Sequence, residues 1–429
     1  MMYPRMAWIK QHYEDYANPD IYDAVRRELE QKGLLDSICR GDRVLITAGS
    51  RGIRGFIHVL RACIEAVRER GGDPLIFPAM GSHGSGEASL QVAVLEHLGI
   101  TEKTLGAPIY ADLEMVEIGK TQGNVPVYTD RAVVEADHVI LVNRIKEHTE
   151  YIGRTESGIL KMAVVGLGRQ LGAATMHRLA VNVSYEKAIH EIARVLFQQL
   201  PILGALAILE DHKNRFRRVE AMAAGEAFDR EPALLEESKA YKPKLPFESL
   251  DILLVDQIGK DISGAGFDTK VIGRIMNIYE KECETPRITR IVLRDLSAKT
   301  DGNATGIGLA DYITERAFKK IDYRATNINC ITAAAPEKGR IPIALPTDRD
   351  ALDAALSSIG LWRPETVKMA WISNTASLER LAVSEGLLEE NPSLKPLEAG
   401  KGGLLSLPFD GKGHLPDLVQ WMERTDMET

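Results

Sequence analysis

The chain has 429 residues, 45% of them hydrophobic and 27% charged, with a formal net charge of −8. That length exceeds one ordinary core, so two domains are expected, and the acidic balance gives no reason to expect a polyanionic partner such as a nucleic acid. Four single cysteines, Cys39, Cys63, Cys283 and Cys330, exclude a zinc knuckle or iron–sulfur loop and fit a reducing compartment.

The first residues lack the apolar core of a signal peptide, and no segment approaches the ~20 apolar residues that cross a bilayer. A cytoplasmic protein without a membrane partner is expected. Residues 21–33 carry Ile21, Val25, Leu29 and the closing Gly33 at helical spacing. A strand over 43–47, ending in Ala48-Gly49-Ser50, precedes a helix over 56–70. The unit repeats as a strand over 74–77, a glycine-rich loop over 80–86 and a helix over 87–98. A further apolar strand, 138–142, runs into a polar loop, 143–157. The run Lys213, Arg215, Arg217 and Arg218 reads as a solvated face.

Strands alternating with helices in this way form a parallel α/β sheet, whose ligands bind at the carboxyl ends of its strands. Residues 231–247 weaken into a charged, proline-bearing crossing. A second series of strands follows at 251–255, 288–293, 328–333 and 367–372, with a last helix over 415–423. The expected fold class is α/β. It comprises two α/β domains, 1–247 and 248–429, with mainly parallel sheets and an active-site cleft between them. The last helix packs back on one domain or the other.

Four segments carry candidate chemistry. The loop Met80-Gly-Ser82-His83-Gly84-Ser-Gly-Glu87 sets a histidine among glycines before a helix, where backbone can approach an anionic ligand and an imidazole can move protons near neutral pH. A plain turn with a solvent-facing imidazole is the bland alternative. The second loop holds Lys146, His148, Tyr151, Arg154 and Ser157 and leads to Lys161. The neighbours of Lys161 are nearly all apolar, which would push it toward a neutral, nucleophilic amine unless its stem merely snorkels. The run Gly166-Leu-Gly168-Arg-Gln-Leu-Gly172 is one residue longer than a dinucleotide loop and lacks the acidic ribose contact. His177 follows as either a ligand or a satisfied interior histidine. In the second half, Gln257 and Lys260 stand at a strand's carboxyl end, where an amide and an ammonium suit a carboxylate.

In their order and spacing these segments resemble the nickel-pincer-dependent lactate racemase family: Gly81-Ser82-His83, then Glu156-Ser-Gly-Ile-Leu-Lys161, then His177 sixteen residues on. The resemblance implies a sulfur-bearing pyridinium mononucleotide joined to Lys161, with its nickel held by His177, and Arg51, Ser82 and Gly84 against the cofactor. It implies His83 and a second histidine as acid/base catalysts, and Gln257 and Lys260 on the substrate carboxylate. Two departures stand out. Tyr151 occupies the family's position for the second histidine, ten residues before the lysine, and His148 lies three residues earlier; both remain candidates, Tyr151 otherwise as a substrate contact. The Arg51 loop, Thr47-Ala-Gly-Ser-Arg51, lacks the residues of lactate-specific members, so lactate itself is not expected.

The implied activity is racemisation or epimerisation at the α-carbon of a 2-hydroxy acid by hydride removal and return. Partners would be that small molecule and the proteins that synthesise the cofactor. A nicotinamide-dependent dehydrogenase and a non-catalytic ligand- or cofactor-binding protein are the alternatives.

Overall fold

A computed structural model describes residues 2–14, 19–50, 52–81, 86–396 and 403–427. The chain divides into two compact units: an N-terminal unit of residues 15–148 and 152–242, and a C-terminal unit of residues 1–14, 149–151 and 243–429. The sequence reading draws a single boundary at 247, whereas the first fourteen residues lie with the C-terminal unit. The strand Met6–Lys10 pairs antiparallel with Arg380–Ser384, and its alternating apolar residues enter that unit's core: Ile9 on one face, Met6 and Trp8 on the other.

The N-terminal unit is built on five strands in the order Asp73–Pro78, Arg43–Ala48, His138–Arg144, Ile202–Glu210 and Phe216–Ala223. All neighbours run parallel except the last pair. The helices Ile21–Lys32 and Phe56–Glu69 supply Val25, Leu29, Val59, Leu60 and Cys63 to one core with Ile46, Ile140 and Leu206. Asp20 caps the first of them on Asp23, and Gly33 closes it at φ 61°, a conformation that glycine adopts without steric cost. The chain winds outward from Arg43–Ala48 in both directions, so the switch point lies between the ends of that strand and of His138–Arg144. Crevices in such sheets open there.

Seven strands form the sheet of the C-terminal unit, in the order Met6–Lys10, Arg380–Ser384, Met369–Ile372, Ser249–Ile258, Arg287–Leu296, Tyr312–Thr314 and Ile343–Leu345. The first two pairs are antiparallel and the rest parallel. Leu253 and Val255 face one core, Ile252 and Leu254 the other, as strand alternation dictates for a sheet covered on both sides. The last helix, Leu418–Met427, belongs to this unit. Trp421 packs on Trp8 and Trp371, and Asp256 accepts from Leu418 N at 2.8 Å. The buried Arg294 ties the same segment down through Asp256, Asp348 and the carbonyl of Leu415.

One expected strand is a helix. Residues 328–333 lie at the end of Tyr323–Thr332, which Asp322 caps on Ala325. Only Thr326 and Cys330, four residues apart, are buried, while Ile328 and Ile331 face solvent, so the β-branched residues signal a strand where burial follows a helical period. The stretch expected as a crossing at 231–247 is for the most part the helix Ala227–Tyr241, with Pro232 inside it. Of the basic run, Arg215 pairs with Asp211, Arg218 with Glu220 and Glu237, and Arg217 lies over Tyr241. No helix among the described residues is long and apolar enough to cross a membrane.

Candidate active site

Arg51, Ser82, His83 and Gly84 lie outside the described residues. The approach to the glycine-rich loop is described: the carbonyls of Met80 and Gly81 accept from the buried Gln91 amide at 3.1 and 3.2 Å. A Cβ on Gly81 would stand 2.9 Å from Val165 Cγ1 and 3.1 Å from Ala173 Cβ, so a glycine here lets the backbone at position 81 lie against the segment that follows Lys161.

The polar loop after His138–Arg144 is closed at its neck by two backbone bonds between Lys146 and Ser157. Glu156 is its interior acceptor. Fully buried, it takes the His148 N–H at 2.6 Å and stands 3.6 Å from Lys239 Nζ. His148 is half-buried and its ring centroid lies 6.1 Å from that of Tyr185.

Lys161 ends the short turn Ile159–Lys161, which runs directly into the π-helix Met162–Leu167 and then into Arg169–Val183. π-helical turns are rare and gather at functional sites. The buried carboxylate of Glu231 accepts from Leu160 N at 2.9 Å. Burial pushes that carboxyl up to about 7 against the opposing pull of the backbone N–H groups of Leu160 and Ile159. A Cβ on Gly158 would come within 2.3 Å of Glu231 Oε1, so the glycine admits the carboxylate beneath the turn.

His177 is half-buried and pushed down to about 4, first by desolvation and then by the nearby Lys161 charge. It is a neutral imidazole at physiological pH. Its Nδ1 lies 3.2 Å from the hydroxyl of the buried Tyr185, leaving Nε2 to take a ligand. Tyr185 comes back to His177 because Ser184, at φ 102°, reverses the chain between Arg169–Val183 and Tyr185–Gln199.

In the C-terminal unit, the sheet's switch point lies between Ser249–Ile258 and Met369–Ile372. Gln257 is half-buried there, its N–H bonded to Ser373 O at 3.0 Å. Lys260 follows on the same loop, with Nζ 2.8 Å from Gly264 O. Tyr151 is fully buried, and its carbonyl accepts from Lys270 Nζ at 2.6 Å. Beside it, the buried Lys338 grips Glu150 Oε2 at 2.5 Å and Thr149 O at 3.2 Å.

Within the N-terminal unit, therefore, His177 and His148 both lie beside Tyr185, and Lys161 is near enough for its charge to lower His177, whereas Gln257, Lys260 and Tyr151 belong to the other unit. Sequence reasoning did not find Tyr185, Glu231 or Arg169. Tyr185 and Glu231 look like ordinary helical residues; Arg169, within a glycine run, carried the one usable signal. The run Gly166, Gly168 and Gly172 is spent on packing: Cβ atoms there would meet Met162 Sδ at 2.5 Å, Val164 O at 2.4 Å and Val164 O at 3.0 Å.

A family model described as a domain of unknown function (DUF362) matches residues 50–227. No curated protein matches the chain. Among solved structures it is similar to the lactate racemase apoprotein from Thermoanaerobacterium thermosaccharolyticum, at a TM-score of 0.55 and 15% identity over 87% of this chain and 99% of that one. It is also similar to a Thermotoga maritima protein from a structural genomics programme, at a TM-score of 0.51 and 13% identity over 85% and 99% of the two chains. The resemblance read in the sequence is thus borne out at the level of architecture: this chain has the α/β fold of a lactate racemase.

Proposed function

We propose that the protein is an isomerase, a racemase or epimerase, acting at the α-carbon of a 2-hydroxy acid, with a nickel-pincer nucleotide joined to Lys161 and its nickel held by His177. The observation that carries this reading is the meeting of a neutral imidazole and a second histidine at one buried tyrosine, with a half-buried lysine near enough to lower the first of them. Among the described residues no three His, Cys, Asp or Glu side chains cluster to hold a metal. A single uncharged histidine therefore suits a metal whose other donors arrive with its cofactor. When bound, that group supplies a hydride acceptor for a hydrogen too weakly acidic to leave as a proton.

The chain's own residues bind, orient and move protons. His148 and His83 exchange the proton of the substrate hydroxyl, one for each enantiomeric approach. Two observations favour His148 over Tyr151 in this role: His148 is half-buried beside Tyr185, whereas Tyr151 is fully buried. Gln257 and Lys260 neutralise and orient the carboxylate, with Tyr151 supporting them, and Arg51, Ser82 and Gly84 line the cofactor. We place the protein in the cytoplasm, with cofactor-synthesis proteins as its partners. All four cysteines are free thiols, which supports a reducing compartment.

The test is intact-mass analysis with nickel quantification after co-expression with the synthesis proteins. Wild type should gain a covalent mass and nickel, and Lys161→Ala should gain neither. A wild-type protein that carries neither under those conditions refutes the assignment. Chiral chromatography over a panel of 2-hydroxy acids then identifies the substrate.

A further inference from the structure

Lys161 and His177 are sixteen residues apart, and an unbroken α-helix would separate them by about 24 Å. Instead, the chain folds back on itself: a Cβ on Gly172 would stand 3.0 Å from Val164 O, eight residues earlier and about 12 Å away along a straight helix. The chain changes course at Gly168–Arg169, where Arg169 has φ 51°, a left-handed conformation costly for any residue with a Cβ. Here the end of the π-helix and the start of Arg169–Val183 are crowded together, a Cβ on Gly168 standing 2.4 Å from Val164 O and 2.9 Å from Gly172 Cα.

The side chain of Arg169 is 1% exposed. It lies 3.3 Å from Asp130 Oδ2, donates to Gln91 Oε1, and stacks its guanidinium 4.2 Å from the Phe77 ring centroid. Gln91 is the residue whose amide holds the carbonyls of Met80 and Gly81. One buried cation thus fixes the corner that returns His177 toward Lys161 and also braces the approach to the glycine-rich loop.

We propose that Arg169 is a positioning residue, whose anchored side chain holds a strained backbone corner and thereby sets the distance between Lys161 and His177. A glycine would satisfy a corner that served the fold alone; an arginine locked by Asp130, Gln91 and Phe77 fixes its angle. This deepens the proposed function, because it rests on Lys161 and His177 sharing one site, but it concerns their geometry and not their chemistry.

The test is cross-linking in the cofactor-free protein carrying Lys161→Cys and His177→Cys, with Cys39→Ser removing the exposed native thiol. A short bifunctional thiol reagent, its reach well under the ~24 Å of a straight helix, should join positions 161 and 177, as mapped by peptide mass spectrometry. Adding Arg169→Gly permits the left-handed backbone but removes the anchors. The cross-linking rate should then fall about five-fold as the closed corner loses population, with faster hydrogen exchange at Gly172 N, which bonds to Gly168 O. Should that variant not fold, Gln91→Leu, which leaves the pair with Asp130, should lower the rate in the same direction. An unchanged rate in a folded variant, or no cross-link in the parent, overturns the proposal. Absence of nickel from the wild-type enzyme, with the cross-link intact, would instead sink only the functional reading.

Discussion

Glu231 offers a quantitative test of how the Lys161 turn is held. Its carboxyl is buried beneath Ile159–Lys161 and pushed up to about 7, chiefly by desolvation. A folded-state value above the unfolded one means that the folded chain binds the proton more tightly. The resulting stability is complete below the unfolded value of about 4.3 and is lost as pH rises through 7. At about 1.4 kcal/mol per pKa unit, the wild type should lose roughly 3 kcal/mol between acid pH and pH 8. Glu231→Gln keeps an acceptor for Leu160 N and places its amide where Glu231 Oε1 has no hydrogen-bond partner, so its stability should not change with pH on this account. Urea denaturation of both proteins at half-unit steps from pH 5 to 8 should show the variant gaining on the wild type up to pH 7 and holding level above it. A stability difference that stays flat across this window refutes the reasoning, because the carboxyl would then be ionised throughout or never.

Three further outcomes follow from the same structure. Lys338→Met leaves Glu150 buried without its cation and should cost about 3–5 kcal/mol; adding Glu150→Leu should restore most of that in denaturant midpoints, and no restoration would mean that packing, not charge, was lost. Gly168→Ala drives a methyl to within 2.4 Å of Val164 O, an overpacking worth about 1–3 kcal/mol that should appear as a lower melting temperature. His177→Ala, purified after co-expression with the synthesis proteins, should keep the covalent mass on Lys161 while its nickel falls to background; full nickel occupancy would remove His177 from the metal site.

What the sequence made legible, and what it hid, divides along physical lines. The strands at Arg43–Ala48, Asp73–Pro78, His138–Arg144, Ser249–Ile258 and Arg287–Leu296 were visible because buried parallel strands are short apolar runs bounded by turn residues. Residues 328–333 misled for a local reason: Ile328 and Ile331 are β-branched yet exposed, so propensity spoke for a strand while the cap at Asp322 and the burial of Thr326 and Cys330 built a helix. The N-terminal strand could not be placed, since its pairing with Arg380–Ser384 spans nearly the whole chain and no local pattern encodes so distant a partner.

The site shows the same division more sharply. Lys161, His177 and His148 could be named because spacing along the chain and polar density mark them. The residues that bring them together could not, for their work is tertiary. Tyr185 matters because Ser184 turns it back, Glu156 because it accepts the His148 N–H across its own loop, and Arg169 because Asp130, Gln91 and Phe77 surround it. The glycine run at 166–172 shows the consequence. Read as a motif, it resembles a loop that would cradle a dinucleotide. Its glycines instead let the π-helix and the helix after it approach so closely that the ammonium of Lys161 is felt at His177. A glycine pattern marks where two stretches of backbone, or backbone and ligand, must come close, and only the neighbours supplied by the fold decide between the two.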